Sequence, residues 1–388
     1  MREFITGNQA VVRGAVRAGC DFFAGYPITP ASSILSEFVK VFARGGGVAL
    51  ETEDEIAAIG QCIGAAMAGA KALTATSGPG LSLYSEQIGL AQMGEVPLVI
   101  VDCQRMGPAT GGATATGEGD VTFARHVTSG GYPLPVLAAT DAATAFRLTF
   151  EAFNLSEQLR TPVILLLSKD IALTRQTVDL EAIHLSPCVE RHPAPAGAVY
   201  QPYAVASPGD VPAFSPIGGF QRVRFTGSIH DENGVLTGDR KKIAAKLTHL
   251  HEKITKSAGA LEFVDEDLDP DAATLIVSYG LADGAAREAV AATRKRGVGV
   301  SHLTLYTLWP MPEKALRRAV TPNIRRVVVP ELNIGLYADE LRRVIHGPTL
   351  EPLTRYDGGL IPPHSIIEKI FSPKLGASGR TEFCPCPS

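Results

Sequence analysis

The chain has 388 residues, of which 45% are hydrophobic and 20% charged, and its formal net charge at pH 7 is −4. These values are typical of a globular protein with two or three domains, and they exclude the strongly basic surface of a protein that binds nucleic acid or an anionic membrane. The N-terminal residues MREFITGNQA lack the apolar core of a signal peptide, and the longest apolar runs are too short to span a bilayer. We therefore expect a cytoplasmic protein without a membrane span.

Residues 1–185 alternate short apolar runs with helical patterns, which predicts an α/β fold with a parallel sheet covered on both faces. The predicted strands are residues 21–24, 47–50, 72–76, 98–103 and 163–167. The clearest predicted helices are residues 31–44 and 56–70.

The remainder of the chain divides into three parts. Residues 186–270 are rich in proline and glycine and predict a structured linker or arm, which ends in a charged surface helix at residues 241–256. Residues 271–371 resume the α/β alternation, with strands at 274–279, 299–305 and 326–329, and predict a smaller doubly wound domain. Residues 372–388 predict a loose tail.

The cysteines do not predict a metal site. The chain has six, at positions 20, 62, 103, 188, 384 and 386, and no CxxC pair of the kind that binds zinc or an iron–sulfur cluster. Cys384 and Cys386 are too isolated to complete a four-ligand site. We expect free thiols in a reducing compartment, so any cluster must lie on another chain.

The segment GYPITPASS, residues 25–33, joins a predicted strand to a predicted helix. Pro30 suits the first helical position and Thr29 suits the N-cap. The turn lies at the carboxyl edge of the predicted sheet, where ligands bind and helix N-termini attract anions. A well-capped helix accounts for the same residues without any ligand, and the local chemistry alone favours that simpler interpretation.

A run of acidic residues, ETEDE at 51–55, precedes a helix that is rich in alanine and glycine. Acidic residues at a helix start interact favourably with its dipole, so part of this run is explained by capping. Gly60 and Gly64 lower helix propensity and are tolerated where a backbone, a ligand or a partner helix comes close. The next strand ends in TSGPG, residues 76–80, which presents free N–H groups at another helix start.

Five segments together resemble the α subunit of 2-oxoacid:ferredoxin oxidoreductases of the 2-oxoglutarate and 2-oxoisovalerate type. They are GYPITPASS, ETEDEIAAIGQCIGAAMAGAKALTATSGPG, EVPLVIVDCQRMGPATG, TGSIHDENG and VVPELNIG. The resemblance covers residues 4–371 and implies thiamine diphosphate as cofactor, coenzyme A as acyl acceptor and ferredoxin as electron acceptor. It also implies a pyrimidine-binding domain, at residues 1–185, and a transketolase C-terminal-like domain, at residues 271–371.

The resemblance implies roles for three side chains. Glu55 matches the glutamate that hydrogen-bonds N1′ of the aminopyrimidine ring, because it lies five and nine residues before Gly60 and Gly64. Thr29 matches the threonine near the reacting carbonyl group of the 2-oxoacid. Arg105 matches the arginine that binds the substrate carboxylate, for which a guanidinium group is a bidentate clamp.

Two further residues complete the predicted cofactor site. Ser77 and Gly78, in the TSGPG turn, are assigned to cofactor binding together with Glu55, Gly60 and Gly64. Glu51 and Glu53 do not match the family spacing, so we assign them to capping of the helix.

Two segments depart from close relatives. The chain has RMGPATG at 105–111 where relatives read RGGPSTG, and SGGYP at 129–133 where they often carry His-Gly-Asp-(Tyr/His)-Pro. We expect both segments to line the substrate side chain. Met106 adds apolar bulk and the second change removes polar groups, so a branched or aryl 2-oxoacid such as phenylglyoxylate stands beside 2-oxoglutarate as a predicted substrate.

The chain lacks the GDG…N stretch that holds Mg²⁺ and the pyrophosphate of the cofactor, since EGD at 118–120 has no downstream asparagine. The resemblance therefore implies a β subunit that carries the Mg²⁺–diphosphate site and [4Fe-4S] clusters, together with γ and ferredoxin-like subunits. The thiamine diphosphate is then shared between the α and β subunits.

Two alternatives stay open. One is another thiamine diphosphate chemistry, non-oxidative decarboxylation or ketol transfer, and an adjacent reading frame for a cluster-binding subunit would argue against it. The other is a non-catalytic structural subunit, against which the presence of Thr29, Glu55 and Arg105 argues.

Overall fold

The computed structural model describes residues 2–197 and 199–372. The strands in these residues are β1 (Arg2–Thr6), β2 (Phe22–Gly25), β3 (Val48–Glu51), β4 (Ala72–Thr76), β5 (Leu98–Gln104), β6 (Val136–Ala138), β7 (Pro162–Ser168), β8 (Arg175–Asp179), β9 (Val264–Asp267), β10 (Thr274–Ser278), β11 (Val300–Leu305), β12 (Thr307–Trp309), β13 (Arg326–Glu331) and β14 (Thr349–Thr354). The α-helices are α1 (Gly7–Arg17), α2 (Ser32–Phe42), α3 (Glu55–Met67), α4 (Gly78–Met93), α5 (Val121–Arg125), α6 (Ala142–Leu159), α7 (Lys169–Leu173), α8 (Arg240–Ser257), α9 (Ala282–Arg294), α10 (Glu313–Ala319), α11 (Leu336–Leu341) and α12 (Pro363–Phe371). The predicted tail, with Cys384 and Cys386, lies outside the described residues apart from Ser372.

The first sheet has seven strands in the order β12-β6-β7-β5-β4-β2-β3. All neighbours pair in parallel except the edge strand β12, which is antiparallel to β6. One face packs on α1, α2 and α6, and the other packs on α3 and α4. A parallel sheet covered on both faces confirms the predicted α/β class.

The second sheet has five strands in the order β14-β13-β10-β11-β9, and only the edge strand β9 is antiparallel. Helices α9 and α12 cover its outer face. The core on its other face is continuous with the core beneath α3 and α4, so the two sheets share one apolar interior. The predicted smaller, doubly wound body is therefore confirmed.

The division of the chain at residues 185 and 271 remains a prediction. Strand β9 lies before residue 271 and already belongs to the second sheet, whereas β12 lies after it and joins the first sheet. The two sheets therefore exchange strands across the predicted boundaries.

The expectation that residues 241–256 form a charged surface helix is wrong for one face of α8. Lys246, His249 and Lys253 are buried and all contact the carboxylate of Glu95, at distances of 2.6, 3.0 and 2.8 Å. Glu95 follows the end of α4, so the arm folds back onto the first sheet through this buried charge cluster.

The expectation that Thr29 caps a helix beginning at Pro30 is also wrong. Helix α2 begins at Ser32, after Ala31, whose side chain makes no cap. The carbonyl groups of Thr29 and Pro30 accept hydrogen bonds from Arg105 and from the Asn8 side chain instead. Residues 29–31 therefore form a separate turn before α2, in which Ser32 N donates to Ile28 O at 2.9 Å.

No helix in residues 2–197 and 199–372 combines the length and apolar character needed to cross a membrane.

Candidate active site at the carboxyl edge of the first sheet

Glu55 begins α3 at the carboxyl edge of the first sheet, next to the end of β3. The residue is only 7% exposed, yet its carboxylate has no hydrogen bond or ion pair with any residue that the structure describes. The cap of α3 is Asp54, whose carboxylate accepts a hydrogen bond from the Ala57 N–H at 2.7 Å. The assignment of capping to Glu51 and Glu53 is therefore wrong, and Glu55 is free for another partner.

The TSGPG turn lies directly against Glu55. A Cβ atom added at Gly80 would overlap Thr76 Oγ1 and would lie 2.9 Å from Glu55 Oε1, so only glycine fits there. Ser77 precedes α4 but makes no side-chain cap, and its buried Oγ has no partner in the part of the chain that the structure describes. An orphaned hydroxyl and a buried carboxylate thus flank the start of α4, a combination that needs a polar ligand or water.

Arg105 directly follows β5 and reaches across the sheet edge to the β2–α2 turn. Its Nη1 donates a hydrogen bond to Thr29 O at 2.6 Å, while its Nε is buried and has no partner among the described residues. Thr29 is exposed, and its hydroxyl group makes no hydrogen bond that the structure describes. The structure therefore brings these two predicted substrate residues together and leaves polar atoms of both available.

The Asn8 side chain fixes the turn that carries Thr29 to helix α1. The Asn8 amide donates hydrogen bonds to Pro30 O at 2.8 Å and to Ser33 Oγ at 2.7 Å. Asn8 is fully buried, so these bonds fix the position of the turn relative to α1.

Asp102 and Asp120 form a buried carboxyl pair that sequence reasoning missed. Burial raises the pKa of Asp102, and the neighbouring Asp120 carboxyl raises it further. Burial also raises the pKa of Asp120, although its hydrogen bond with Asp102 and the charge of Arg105 oppose the increase. Two carboxyl groups in contact cannot both ionise readily, so the pair holds a proton. The sequence feature that could have revealed this pair is the aspartate within the otherwise apolar strand LVIVDCQ.

The Asp120 carboxyl group of this pair lies near both Arg105 and the TSGPG turn, residues 76–80. A Cβ atom added at Gly78 would lie 2.9 Å from Asp120 Oδ2, so this carboxylate rests on the start of α4. The backbone N–H of Asp120 donates to Gln104 Oε1 at 3.1 Å. Asp120 therefore lies against Gly78 and within the electrostatic influence of Arg105, at the same sheet edge as Glu55.

Glu118 fixes this segment to the second sheet. Its Oε1 accepts a hydrogen bond from the Leu281 N–H at 2.9 Å, and its carbonyl oxygen accepts one from Asn333 Nδ2 at 2.9 Å. Burial raises the pKa of Glu118 to about 8, against the lowering effect of the Leu281 N–H. The second sheet thus positions residues 118–120, which contact the TSGPG turn.

Gly60 and Gly64 are less closely connected to this path. They lie about 7.5 and 13.5 Å from Glu55 along the axis of α3, and a Cβ atom at either would meet nothing within 4 Å. Their predicted role in cofactor binding remains a prediction.

The lining of the substrate side chain by residues 105–111 and 129–133 remains a prediction. Met106 Cε packs on Gly358 of the second body, where a Cβ atom would lie 3.0 Å away. The segment 129–133 lies beside the C-terminal half of α4, where Gln92 Nε2 donates to Pro133 O at 3.1 Å. Residues 129–133 make no hydrogen bond with Arg105 or Thr29 that the structure describes, whereas the first segment contains Arg105, which donates to Thr29 O.

The residues at this edge fit the aminopyrimidine end of thiamine diphosphate. A buried carboxylate without a partner among the described residues can share a proton with a ring nitrogen, and the buried Ser77 Oγ adds a second polar atom that has no partner there. No group of three or more acidic, histidine or cysteine side chains in the described residues could hold a metal ion.

The comparisons with known proteins agree with this geometry. The family described as "Pyruvate flavodoxin/ferredoxin oxidoreductase, thiamine diP-bdg" matches residues 13–247, and "Pyruvate:ferredoxin oxidoreductase core domain II" matches residues 272–366. The chain belongs to this family, as an α subunit of a 2-oxoacid:ferredoxin oxidoreductase, and it contains a thiamine diphosphate-binding domain.

Several relatives align with nearly the whole chain. It is 36% identical to the 2-oxoglutarate synthase subunit KorA of Methanothermobacter thermautotrophicus, over 95% of this chain and 98% of the relative. It is 32% identical to the ketoisovalerate oxidoreductase subunit VorB of the same organism, over 95% of this chain and 97% of the relative.

A solved structure is also similar. It is the 2-oxoglutarate:ferredoxin oxidoreductase from Magnetococcus marinus with 2-oxoglutarate, coenzyme A and succinyl-CoA bound. The TM-score is 0.87 at 29% identity, and the alignment covers 95% of this chain and 64% of that longer one.

Proposed function

We propose that this chain is the α subunit of an enzyme that oxidatively decarboxylates 2-oxoglutarate, transfers the acyl group to coenzyme A and reduces ferredoxin. The observation that carries the proposal is the buried Glu55 carboxylate, which has no partner among the described residues and lies against the glycine turn at Gly80. Such a group is what an aminopyrimidine cofactor requires, and Arg105 and Thr29 stand at the same sheet edge.

Each of these residues has a distinct part in the reaction. Glu55 exchanges a proton with N1′ of the aminopyrimidine, and Ser77, Gly78, Gly60 and Gly64 shape the surface on which the ring lies. Thiamine diphosphate, when bound, would supply a nucleophilic carbon and would take up the electron pair that departing carbon dioxide leaves behind.

The substrate is held by Arg105 and Thr29. Arg105 binds the carboxylate next to the keto group, because its buried Nε has no partner among the described residues. The exposed Thr29 hydroxyl lies within reach of the keto oxygen and can donate a hydrogen bond to it.

The site is completed by partner subunits. A β subunit supplies Mg²⁺, the diphosphate site and [4Fe-4S] clusters, and γ and ferredoxin-like subunits complete the complex. We place the complex in the cytoplasm, a reducing compartment in which free thiols such as Cys20 and Cys62 persist.

The choice of 2-oxoglutarate over a branched or aryl 2-oxoacid is supported by two observations. The relatives with 36–37% identity are named for 2-oxoglutarate, and those named for ketoisovalerate are 31–32% identical. Met106, whose bulk suggested a less polar substrate, packs on Gly358 instead of standing free beside Arg105.

Steady-state kinetics of the purified complex test this function. We expect 2-oxoglutarate to give the highest kcat/KM for coenzyme A-dependent ferredoxin reduction, above 2-oxoisovalerate and phenylglyoxylate. Turnover of an aryl or branched acid at least about tenfold more efficient than that of 2-oxoglutarate would overturn the assignment, and decarboxylation independent of coenzyme A and ferredoxin would overturn the reaction class.

A further inference from the structure

Asp102 carries a fully buried carboxyl group with no hydrogen-bond donor beside it. The residue is 0% exposed, and neither of its carboxylate oxygens has a partner in the part of the chain that the structure describes. Asp120 Oδ2 is buried in the same condition. A buried carboxylate without donors is too costly to remain ionised. One proton between the two groups gives each of them a partner, and this proton forms the hydrogen bond that joins Asp102 to Asp120.

The pair lies between the first sheet and the start of α4. Asp102 pairs in register with Thr76 of β4, and Ile100, two residues earlier in β5, packs in the core beneath α4. Because every second residue of a strand points to the same face, the Asp102 side chain also faces α4. A Cβ atom added at Gly78 would lie 2.9 and 3.0 Å from the two carboxylate oxygens of Asp120. The pair is therefore enclosed beneath the turn that precedes α4.

The two carboxyl groups differ in the charges that face them. Asp120 lies against the first turn of α4, the positive end of the helix dipole, and the charge of Arg105 opposes the rise of its pKa. Burial and the Asp120 carboxyl raise the pKa of Asp102, and no described cation opposes them. The shared proton therefore resides on Asp102, and Asp120 carries the single negative charge. A metal cation is a poorer occupant, because Arg105 and the helix end already supply positive charge.

The surrounding elements bring few other charges to the pair. Their titratable groups are Cys103 and Arg105 on or directly after β5, Glu55 on α3, Tyr84 on α4, Glu118 in the preceding loop and Arg125 on α5. Burial raises the pKa of Cys103 and of Tyr84, so both stay neutral. Glu118 and Arg125 are held by groups of the second body. Arg105 is then the cation on which the charge of the pair acts.

Loss of the shared proton would place a second negative charge near Arg105. Arg105 Nε is buried without a described partner, and in the proposed function this side chain binds the carboxylate next to the keto group. A doubly ionised pair and the substrate carboxylate would compete for the same guanidinium group. At an effective dielectric constant of about 20, an added unit charge about 7 Å away weakens the binding of an anion by about 10- to 100-fold.

We propose that the substrate carboxylate binds to Arg105 only while Asp102 and Asp120 share a proton, which makes Asp102 a positioning residue that acts through Asp120 and Arg105. This inference rests on the proposed function, from which it takes the role of Arg105, and it adds a proton to the conditions for substrate binding. The alternative is that the pair only fills the space beneath α4, in which case its replacement has the same effect at every pH.

The pH dependence of KM in the complete complex distinguishes these roles. Initial rates with 2-oxoglutarate are measured from about pH 6 to about pH 9, at saturating coenzyme A and ferredoxin. We expect KM of the unchanged complex to rise about 10-fold or more as the pair loses its proton, with a smaller change in kcat. The amide of Asp102→Asn can still donate to Asp120 but cannot ionise, so this variant should lose the rise in KM.

A matched control is Asp271→Asn, at an exposed position before β10, which should keep the rise. A constant KM in the unchanged complex over this range, or the same rise in Asp102→Asn, would overturn the proposal. An increase of KM in Asp102→Asn by the same factor at every pH would overturn it as well, because this result would show a structural or metal-binding role.

Infrared difference spectroscopy tests the shared proton without substrate or turnover. At about pH 6 the unchanged complex should show a C=O stretching band of a protonated carboxyl group that is absent from Asp102→Asn and that disappears toward about pH 9. A spectrum without this band would contradict the inference even if the complex oxidises 2-oxoglutarate. If another 2-oxoacid proves to be the preferred substrate, the proposed function fails, but the same comparison of KM with that acid still tests the shared proton.

Discussion

The carboxyl groups of Asp102, Asp120, Glu118 and Glu331 are enclosed where the two sheets meet. Burial raises the pKa of each of them above its ordinary value. The folded chain therefore binds protons at these groups more tightly than the unfolded chain does. Linkage then requires stability to fall as pH rises between the unfolded and folded pKa values.

Glu118 offers the cleanest test of this relation. Its ordinary pKa of 4.5 rises to about 8 through burial, so its cost to folding is absent below about pH 4.5 and grows through pH 8. Each pH unit in this window changes the free energy of unfolding by at most about 1.4 kcal/mol. We expect Glu118→Gln to stabilise the complex by at least about 1 kcal/mol more at pH 8 than at pH 5, measured by thermal unfolding.

The control is Glu313→Gln, which removes an exposed carboxylate paired with Arg317. Its effect should differ little between the two pH values. A Glu118→Gln effect that is the same at pH 5 and pH 8 would show that Glu118 does not hold a proton in the folded state.

At this scale the sequence singled out three side chains that the structure places at one sheet edge, but not the buried carboxyl pair near them. Glu55, Thr29 and Arg105 follow strand ends in segments that resemble a known family. Asp102 and Asp120 are 18 residues apart and meet because a long loop returns to the edge of β5. No local pattern encodes such a contact, although an aspartate within an apolar strand signals one.

The elements themselves were largely predictable, because buried parallel strands are continuous apolar runs. The strand at 72–76 was predicted within its observed bounds, and β5 extends only one residue beyond its predicted end. The start of α2 was not predictable, since the carbonyl groups of Thr29 and Pro30 are bound by Arg105 and Asn8 from other elements. Helix α8 was mistaken for a surface helix because its buried face is charged.

That buried face of α8 should be a main source of the arm's stability. Burial alone would raise the pKa of Glu95, but Lys246 and Lys253 hold it well below its ordinary value. Replacing Glu95 with glutamine leaves two buried ammonium groups without a counter-charge, which typically costs about 3–5 kcal/mol. We expect Glu95→Gln to lower the unfolding temperature markedly and to expose residues 199–239 to limited proteolysis.

Glu252→Gln is the matched control, because Glu252 pairs with Lys256 on the exposed face of the same helix. Surface pairs of this kind contribute about 0–1 kcal/mol. The stabilisation by Glu95 is complete above its ordinary pKa and is lost as pH falls toward the lowered value. Equal effects of the two substitutions would contradict the importance of the buried cluster.

The whole molecule is organised around one interior that serves both sheets. Strand β12 belongs to the second half of the chain but pairs with β6 of the first sheet. The indole N–H of Trp309, in the same strand, donates to Val121 O at 3.0 Å. Thr307 and Leu137 pair across 170 positions of sequence, so neither composition nor periodicity could reveal the exchange. The α/β class and the succession of two α/β regions along the chain were predictable, but the exchange of strands between the two sheets was not.

The same organisation leaves the site open at the carboxyl edge. Glu55, Thr29 and Arg105 converge there, whereas Ile56 and Leu83 beside them expose about half of their side chains. A partner subunit that supplies the rest of the cofactor site would cover this edge. The central claim is therefore that Glu55 activates a cofactor held between two subunits.

The most direct test is Glu55→Gln in the assembled complex, with Glu53→Gln as the control because Glu53 is exposed and lies two residues earlier. Glutamine keeps the size of the side chain but cannot exchange a proton with the aminopyrimidine. We expect turnover of 2-oxoglutarate with coenzyme A and ferredoxin to fall at least about 100-fold in Glu55→Gln and to change little in Glu53→Gln. Turnover of Glu55→Gln within about threefold of the unchanged complex would contradict the account.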